Sequence, residues 1–159
     1  SDCKIVFVLF GTVLSIPNMV ARIKAAGKLT LVHVDLIDGL AARDIAVDFI
    51  AKNTQADGII STKSNLVRHA KSLGLFAVQR FFLLDSIALV NISKQLSLET
   101  ADAIEILPGV MPKIIAKVTS FTQAPVIAGG LIADKEDVVN ALSAGAVAVS
   151  STNPDVWFL

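Results

Sequence analysis

Two hydrophobic rhythms take turns along this chain from end to end. Short apolar runs occur at residues 5–10, 29–36, 58–61, 75–82, 103–107, 126–128 and 146–149. Segments of helical periodicity lie between them. In residues 64–73, Leu66, Val67, Ala70 and Leu73 fall on one face of a helix, while Arg68 and Lys71 fall on another. Strands that are each followed by a helix pair in parallel, because the connection must cross back over the sheet. The fold class is therefore α/β with a parallel sheet. Such strands are covered on both faces and read as unbroken apolar runs. That accounts for a hydrophobic content of 53% and a mean hydropathy of +0.68. No run reaches the roughly 18 apolar residues of a membrane span.

The helix punctuation agrees with this rhythm. Asp134 can cap "DKEDVVNALSAG", with Gly145 at its end, and Asp85 can cap "DSIALVNISKQL". Pro17 suits the first turn of a helix after Ser15, closed by Gly27. Asp38 is placed to cap "GLAARDIAVDFIAK".

Seven strand–helix units can be read in the 159 residues. A TIM-type (β/α)8 barrel has eight units and typically about 250 residues. The expected architecture is one domain over residues 1–159, a barrel of this type with its first unit missing in front. An open doubly wound sheet is the alternative. It would often carry its glycine-rich turn after the first strand, whereas the suggestive glycines here follow the sixth.

Formal net charge is zero, but unevenly spread. Residues 1–98 hold 11 basic and 7 acidic side chains, and residues 99–159 hold 3 and 7. Residues 58–84 contain no acid, yet carry Lys63, Arg68, Lys71 and Arg80. A local basic face is thus available without an overall polyanion-binding charge. A single cysteine, Cys3, excludes an internal disulfide framework and a cysteine-rich metal site. The opening "SDCKIVFVLF" has neither the basic lead nor the cleavage pattern of a secretory signal. A cytoplasmic location is the resulting expectation.

The chemistry-bearing residues gather near strand ends. In "PVIAGGLIADKED", Gly129 and Gly130 end a strand and would let backbone N–H groups approach a ligand. Ser150, Ser151 and Thr152 end the next strand, after which Asn153 and Pro154 can open a short helix. Barrels commonly hold phosphate between the loops after their last two strands and such a helix. The plainer reading is a tight βα turn. In "LVHVDLIDGL", period two places Leu31, His33 and Asp35 on one face. A metal site from His33, Asp35 and Asp38 lacks a second His or Glu cluster to support it. An interior His satisfied by a carboxylate is the plainer alternative. "DGIISTKSN" adds Ser61, Thr62 and Lys63, and "FAVQRFFLLDS" adds Gln79 and Arg80. Glu105 points inward if Ile104 and Ile106 face the helices. Arg80 and Glu105 suit a structural ion pair as well as ligand contact. No nucleophile elbow is present, and the available acids and bases are too many to name a reaction.

Six ordered blocks, "LVHVDLIDGL", "ADGIISTKSN", "VQRFFLLDS", "IEILPGVMPK", "PVIAGGLI" and "AVSSTNPDVW", resemble the glycerol-3-phosphate responsive antiterminators. The resemblance runs from about Val6 to Trp157. It implies a TIM-type fold and a regulator rather than an enzyme. Such a regulator senses glycerol 3-phosphate, binds leader mRNA of glycerol-utilisation genes and lets polymerase pass a terminator. Phosphate would then sit at Gly129, Gly130, Ser151 and Thr152, and the glycerol hydroxyls at His33, Asp35, Lys63 and Glu105. Arg68, His69 and Lys71 are the candidate RNA-facing residues. A solvated basic helix face is the plainer reading of those three. No cofactor is expected apart from the effector glycerol 3-phosphate, and no metal.

The alternative function is a phosphosugar aldolase or isomerase, which would use the same phosphate site with Lys63 as Schiff-base former. A third reading is a non-catalytic domain that self-associates through the apolar end Val156, Trp157, Phe158 and Leu159.

Overall fold

A computed structural model describes residues 1–96 and 101–159. Strand and helix alternate throughout. The elements are β1 (Ile5–Val8), α1 (Ile16–Ala25), β2 (Leu29–His33), α2 (Asp44–Asn53), β3 (Gly58–Ser61) and α3 (Ser64–Ser72). They continue with β4 (Phe76–Phe82), α4 (Ser86–Leu96), β5 (Ala103–Leu107), α5 (Pro112–Thr119), β6 (Val126–Gly129), α6 (Lys135–Ser143) and β7 (Ala148–Ser150). Short 3-10 turns occupy Val34–Leu36 and Pro154–Phe158. The seven strands follow chain order in the sheet, and the pairings are parallel. This is the α/β, TIM-like arrangement that the alternation predicts.

Two compact units divide the chain, Cys3–Gln79 and Arg80–Leu159, the latter with Ser1–Asp2. In the N-terminal unit, Phe7 pairs with Leu31, His33 with Ile60, and Ser61 with Gln79. Ile16, Val20, Val32, Val47, Ile50, Ile59, Leu66 and Val67 are buried there. In the C-terminal unit, Glu105 pairs with Ile127, and Gly129 with Ser150. Ile104, Ile106, Val126 and Ala128 pack with Ile92, Ile115, Val118 and Ala141 of the helices. Ile104 and Ile106 thus face the helices, which leaves Glu105 on the opposite face of β5.

Several boundaries differ from the pattern. The first apolar run stops being strand at Val8, and Phe10 is exposed. The run 29–36 is strand only to His33, because Val34–Leu36 turns as a 3-10 helix. Asp35 therefore does not share a pleated face with His33. Leu73, expected on the buried face of α3, lies past its end and is exposed.

The caps divide in the same way. The Asp134 carboxylate accepts the Asp137 N–H at 3.0 Å, and that of Asp85 accepts the Ala88 N–H at 2.7 Å. Asn153 accepts the Asp155 N–H at 3.1 Å. Asp38 caps nothing. Its backbone pairs with the segment after β1, through Asp38 N–H to Gly11 O at 2.9 Å and Val13 N–H to Asp38 O at 2.8 Å. The helix α2 starts only at Asp44.

Candidate functional site

The C-terminal unit builds its polar centre on one carboxylate. Glu105 is fully buried on β5. Its Oε2 accepts the Nε–H of Arg80 at 2.6 Å, and its Oε1 accepts the hydroxyl of Ser150 at 2.6 Å. Arg80 comes from β4 and is itself buried, so this is a charge-assisted contact shielded from water. Gly129 makes room for it. A Cβ on Gly129 would lie 2.5 Å from both Glu105 Oε1 and Ser150 Oγ.

The chain then turns sharply out of β6. Gly130 has φ +75°, which glycine adopts without strain. Leu131 follows with φ +62°, a conformation that costs an ordinary residue energy and clusters at ligand-binding turns. This turn is tied to the loop after β7. Ser151 Oγ donates to Ile132 O at 2.7 Å, and Asn153 Nδ2 donates to Ala133 O at 2.8 Å. Trp157 Nε1 donates to Ser151 O at 2.8 Å and holds the 3-10 turn down. Among the described residues, the N–H groups of Leu131 and Thr152 meet no acceptor. Two loops with free amide donors are thus clasped side by side.

The expected phosphate quartet is brought together, but its members differ in what they can offer. Gly129 supplies space and Gly130 the turn. The Ser151 hydroxyl is already committed, since it also accepts the Asn153 N–H at 3.1 Å. Thr152 is exposed and open. Ser150, rather than Ser151, reaches Glu105. Period two along β7 is the signal that separates these neighbouring serines.

In the N-terminal unit, Asp35 is bound to the end of β3. Its carboxylate accepts the Ser61 hydroxyl at 3.0 Å, the Thr62 N–H at 2.8 Å and the Thr62 hydroxyl at 3.3 Å. Ser61 Oγ in turn accepts the Lys63 N–H at 3.0 Å. Asp35 therefore shapes the turn that presents Lys63, whose side chain is exposed. His33 is buried, with Nδ1 3.6 Å from Asp35 Oδ2. Among the described residues no group of three or more His, Cys, Asp and Glu is placed to hold a metal ion.

On α3, Arg68 and Lys71 are exposed. His69 is not on that face. Its Nε2 lies 3.0 Å from Asp48 Oδ1 of α2, and its Nδ1 lies 4.0 Å from Asp44 Oδ2. The ring, still partly exposed, is engaged with α2, so its contacts run along the helix pair rather than out from the face that carries Arg68 and Lys71.

A family model described as glycerol-3-phosphate responsive antiterminator matches residues 1–157. The chain belongs to this family. The uncharacterized protein YgcP of Escherichia coli (strain K12) is 46% identical over 159 residues, spanning 100% of this chain and 83% of YgcP. The glycerol uptake operon antiterminator regulatory protein of Listeria monocytogenes superposes with a TM-score of 0.95 at 37% identity, covering 99% of this chain and 85% of that one. A glycerol uptake operon antiterminator-related protein of Thermotoga maritima gives a TM-score of 0.89 at 32% identity, covering 98% and 88%. The antiterminator family is a regulatory one. No helix among the described residues is long and apolar enough to cross a membrane.

Proposed function

We propose that this protein is a glycerol-3-phosphate-responsive antiterminator that binds the leader mRNA of glycerol-utilisation genes. The observation that carries this reading is the family match over residues 1–157. The geometry of the C-terminal unit supports it. The amides of Leu131 and Thr152 and the Thr152 hydroxyl supply donors of the kind a phosphate group requires. Glu105, held by Arg80 and Ser150, is the acceptor for a glycerol hydroxyl in this reading. His33, Asp35 and Lys63, also expected to meet the ligand's hydroxyls, belong to the N-terminal unit and form no part of the site described in the C-terminal one. Asp35 acts chiefly through the turn it shapes.

Arg68 and Lys71 on α3 form the proposed RNA-facing pair, with charge that phosphodiesters attract. A ligand can act on RNA binding only through a difference in affinity between two states of the protein. Glycerol 3-phosphate would favour the state in which the loops beyond the strand ends are ordered.

Transcription in vitro through the leader terminator tests the reading. Readthrough should rise only when both protein and glycerol 3-phosphate are present, and the ligand should be recovered chemically unchanged. Readthrough indifferent to the ligand would overturn the proposal. Conversion of the ligand would favour the phosphosugar enzyme instead.

A further inference from the structure

Arg80 uses its guanidinium in an unusual way for a structural ion pair. The common structural contact is fork to fork, with two parallel N–H donors on one carboxylate. Here Nε alone meets Glu105, at 2.6 Å. Among the described residues, the two terminal nitrogens of Arg80 make no hydrogen bond. The residue is nevertheless 7% exposed, and the carboxylate holding it is 0% exposed. A guanidinium cannot lose its proton, and the terminal nitrogens, which are not among the buried atoms without a partner, keep access to solvent and so to a ligand. The fork is thus open to an acceptor that none of the described residues provides.

The anchoring is equally directed. Glu105 takes one oxygen to Arg80 and the other to Ser150, so the carboxylate cannot swing to the terminal nitrogens without breaking the Ser150 bond. Gly129 lies against this same carboxylate and begins the turn whose Leu131 amide is unpaired. The guanidinium fork and the β6 turn therefore share one neighbour, Glu105.

We infer that Arg80 is the charged anion-binding residue of this unit, taking a phosphomonoester through its terminal nitrogens, with Glu105 and Ser150 as positioning residues. The inference rests on the proposed effector for the identity of the ligand, but not for its class. A planar fork with both terminal nitrogens free fits phosphate oxygens better than isolated hydroxyls. Specificity for the phosphate then comes from Arg80 and the amides of the turn together.

Calorimetric titration of the full chain with glycerol 3-phosphate, inorganic phosphate and glycerol tests this, with thermal melting as the control for folding. Arg80→Gln can still donate to Glu105 but carries no charge. It should weaken glycerol 3-phosphate and phosphate on the order of 10- to 100-fold, with glycerol unchanged. Arg80→Lys, which keeps charge without the fork, should lose part of that affinity, and it decides the matter if Arg80→Gln does not fold. Glu105→Gln should weaken the two anions if Glu105 works through Arg80, and glycerol as well, because the carboxylate is the proposed acceptor for its hydroxyl. Wild-type affinity for the anions in folded Arg80→Gln, or in Arg80→Lys where the former is unfolded, would overturn the inference while leaving the proposed function standing. A wild-type protein that binds phosphate but not glycerol 3-phosphate, with loss in Arg80→Gln, would uphold Arg80 and remove the effector. Binding of neither anion by wild type would overturn both.

Discussion

Glu105 Oε1 lies 2.5 Å from the place a Cβ would take on Gly129. The two residues are brought side by side by the register of β5 and β6, in which Glu105 opposes Ile127 and Ile106 opposes Ala128. Only a residue without a side chain lets the carboxylate stand where Arg80 and Ser150 can both reach it.

Gly129→Ala should accordingly displace Glu105 or Ser150, neither of which is free to yield. We expect a loss of about 1–3 kcal/mol, the usual cost of forcing atoms into a packed site. Urea denaturation measures it, and anion affinity should fall in the folded fraction.

Leu131 carries its left-handed conformation at an exposed position, 74% accessible. Asparagine tolerates this conformation better than leucine. Leu131→Asn should therefore raise stability by several tenths of a kcal/mol, read from the urea midpoint, with little change in ligand affinity if only the Leu131 amide serves the site.

Asp57 gives a pH signature in the N-terminal unit. Burial pushes its carboxyl upward, but the Lys24 ammonium at 2.7 and 2.8 Å and the Thr30 N–H at 2.7 Å prevail and hold it below its ordinary value. A carboxylate whose folded value is depressed stabilises the fold above its unfolded value of about 3.9 and loses that contribution as pH falls through the folded one. The stability difference between wild type and Asp57→Asn should be constant near neutrality and shrink below about pH 4. Urea melts across that range measure it.

Arg68 and Lys71 are separable from His69, which is engaged with Asp48 and Asp44. Arg68→Gln with Lys71→Gln should weaken leader RNA binding and flatten its salt dependence by roughly one unit for each phosphate no longer neutralised. His69→Ala should leave RNA affinity unchanged and lower thermal stability, because it strips Asp48 of its partner. Electrophoretic shifts at several salt concentrations, with melting curves alongside, distinguish the two effects.

The alternation of periods makes the parallel α/β fold legible, and the strands at Gly58–Ser61 and Ala103–Leu107 coincide with their apolar runs. Local capping chemistry is legible at Asp85, Asp134 and Asn153, where donor and acceptor are near neighbours in sequence. The same logic misplaces Asp38, since a capping residue and a residue bridging to a distant segment look alike in sequence. A period of two cannot register where a strand tightens into a 3-10 turn, so Asp35 reads as part of a strand it has left. His69 and Arg80 are ambiguous because their partners, Asp48 and Glu105, lie on other elements. The inward direction of Glu105 is readable from its apolar neighbours. The single-nitrogen contact that leaves the Arg80 fork open is not.

The role proposed for this chain stands or falls on glycerol 3-phosphate controlling its RNA binding. Filter retention of labelled leader RNA, titrated with protein in the presence and absence of glycerol 3-phosphate, decides the point. Retention should rise with the ligand in wild type, whereas Arg80→Gln should bind RNA equally weakly with and without it. Superimposable wild-type curves in the two conditions would refute the role.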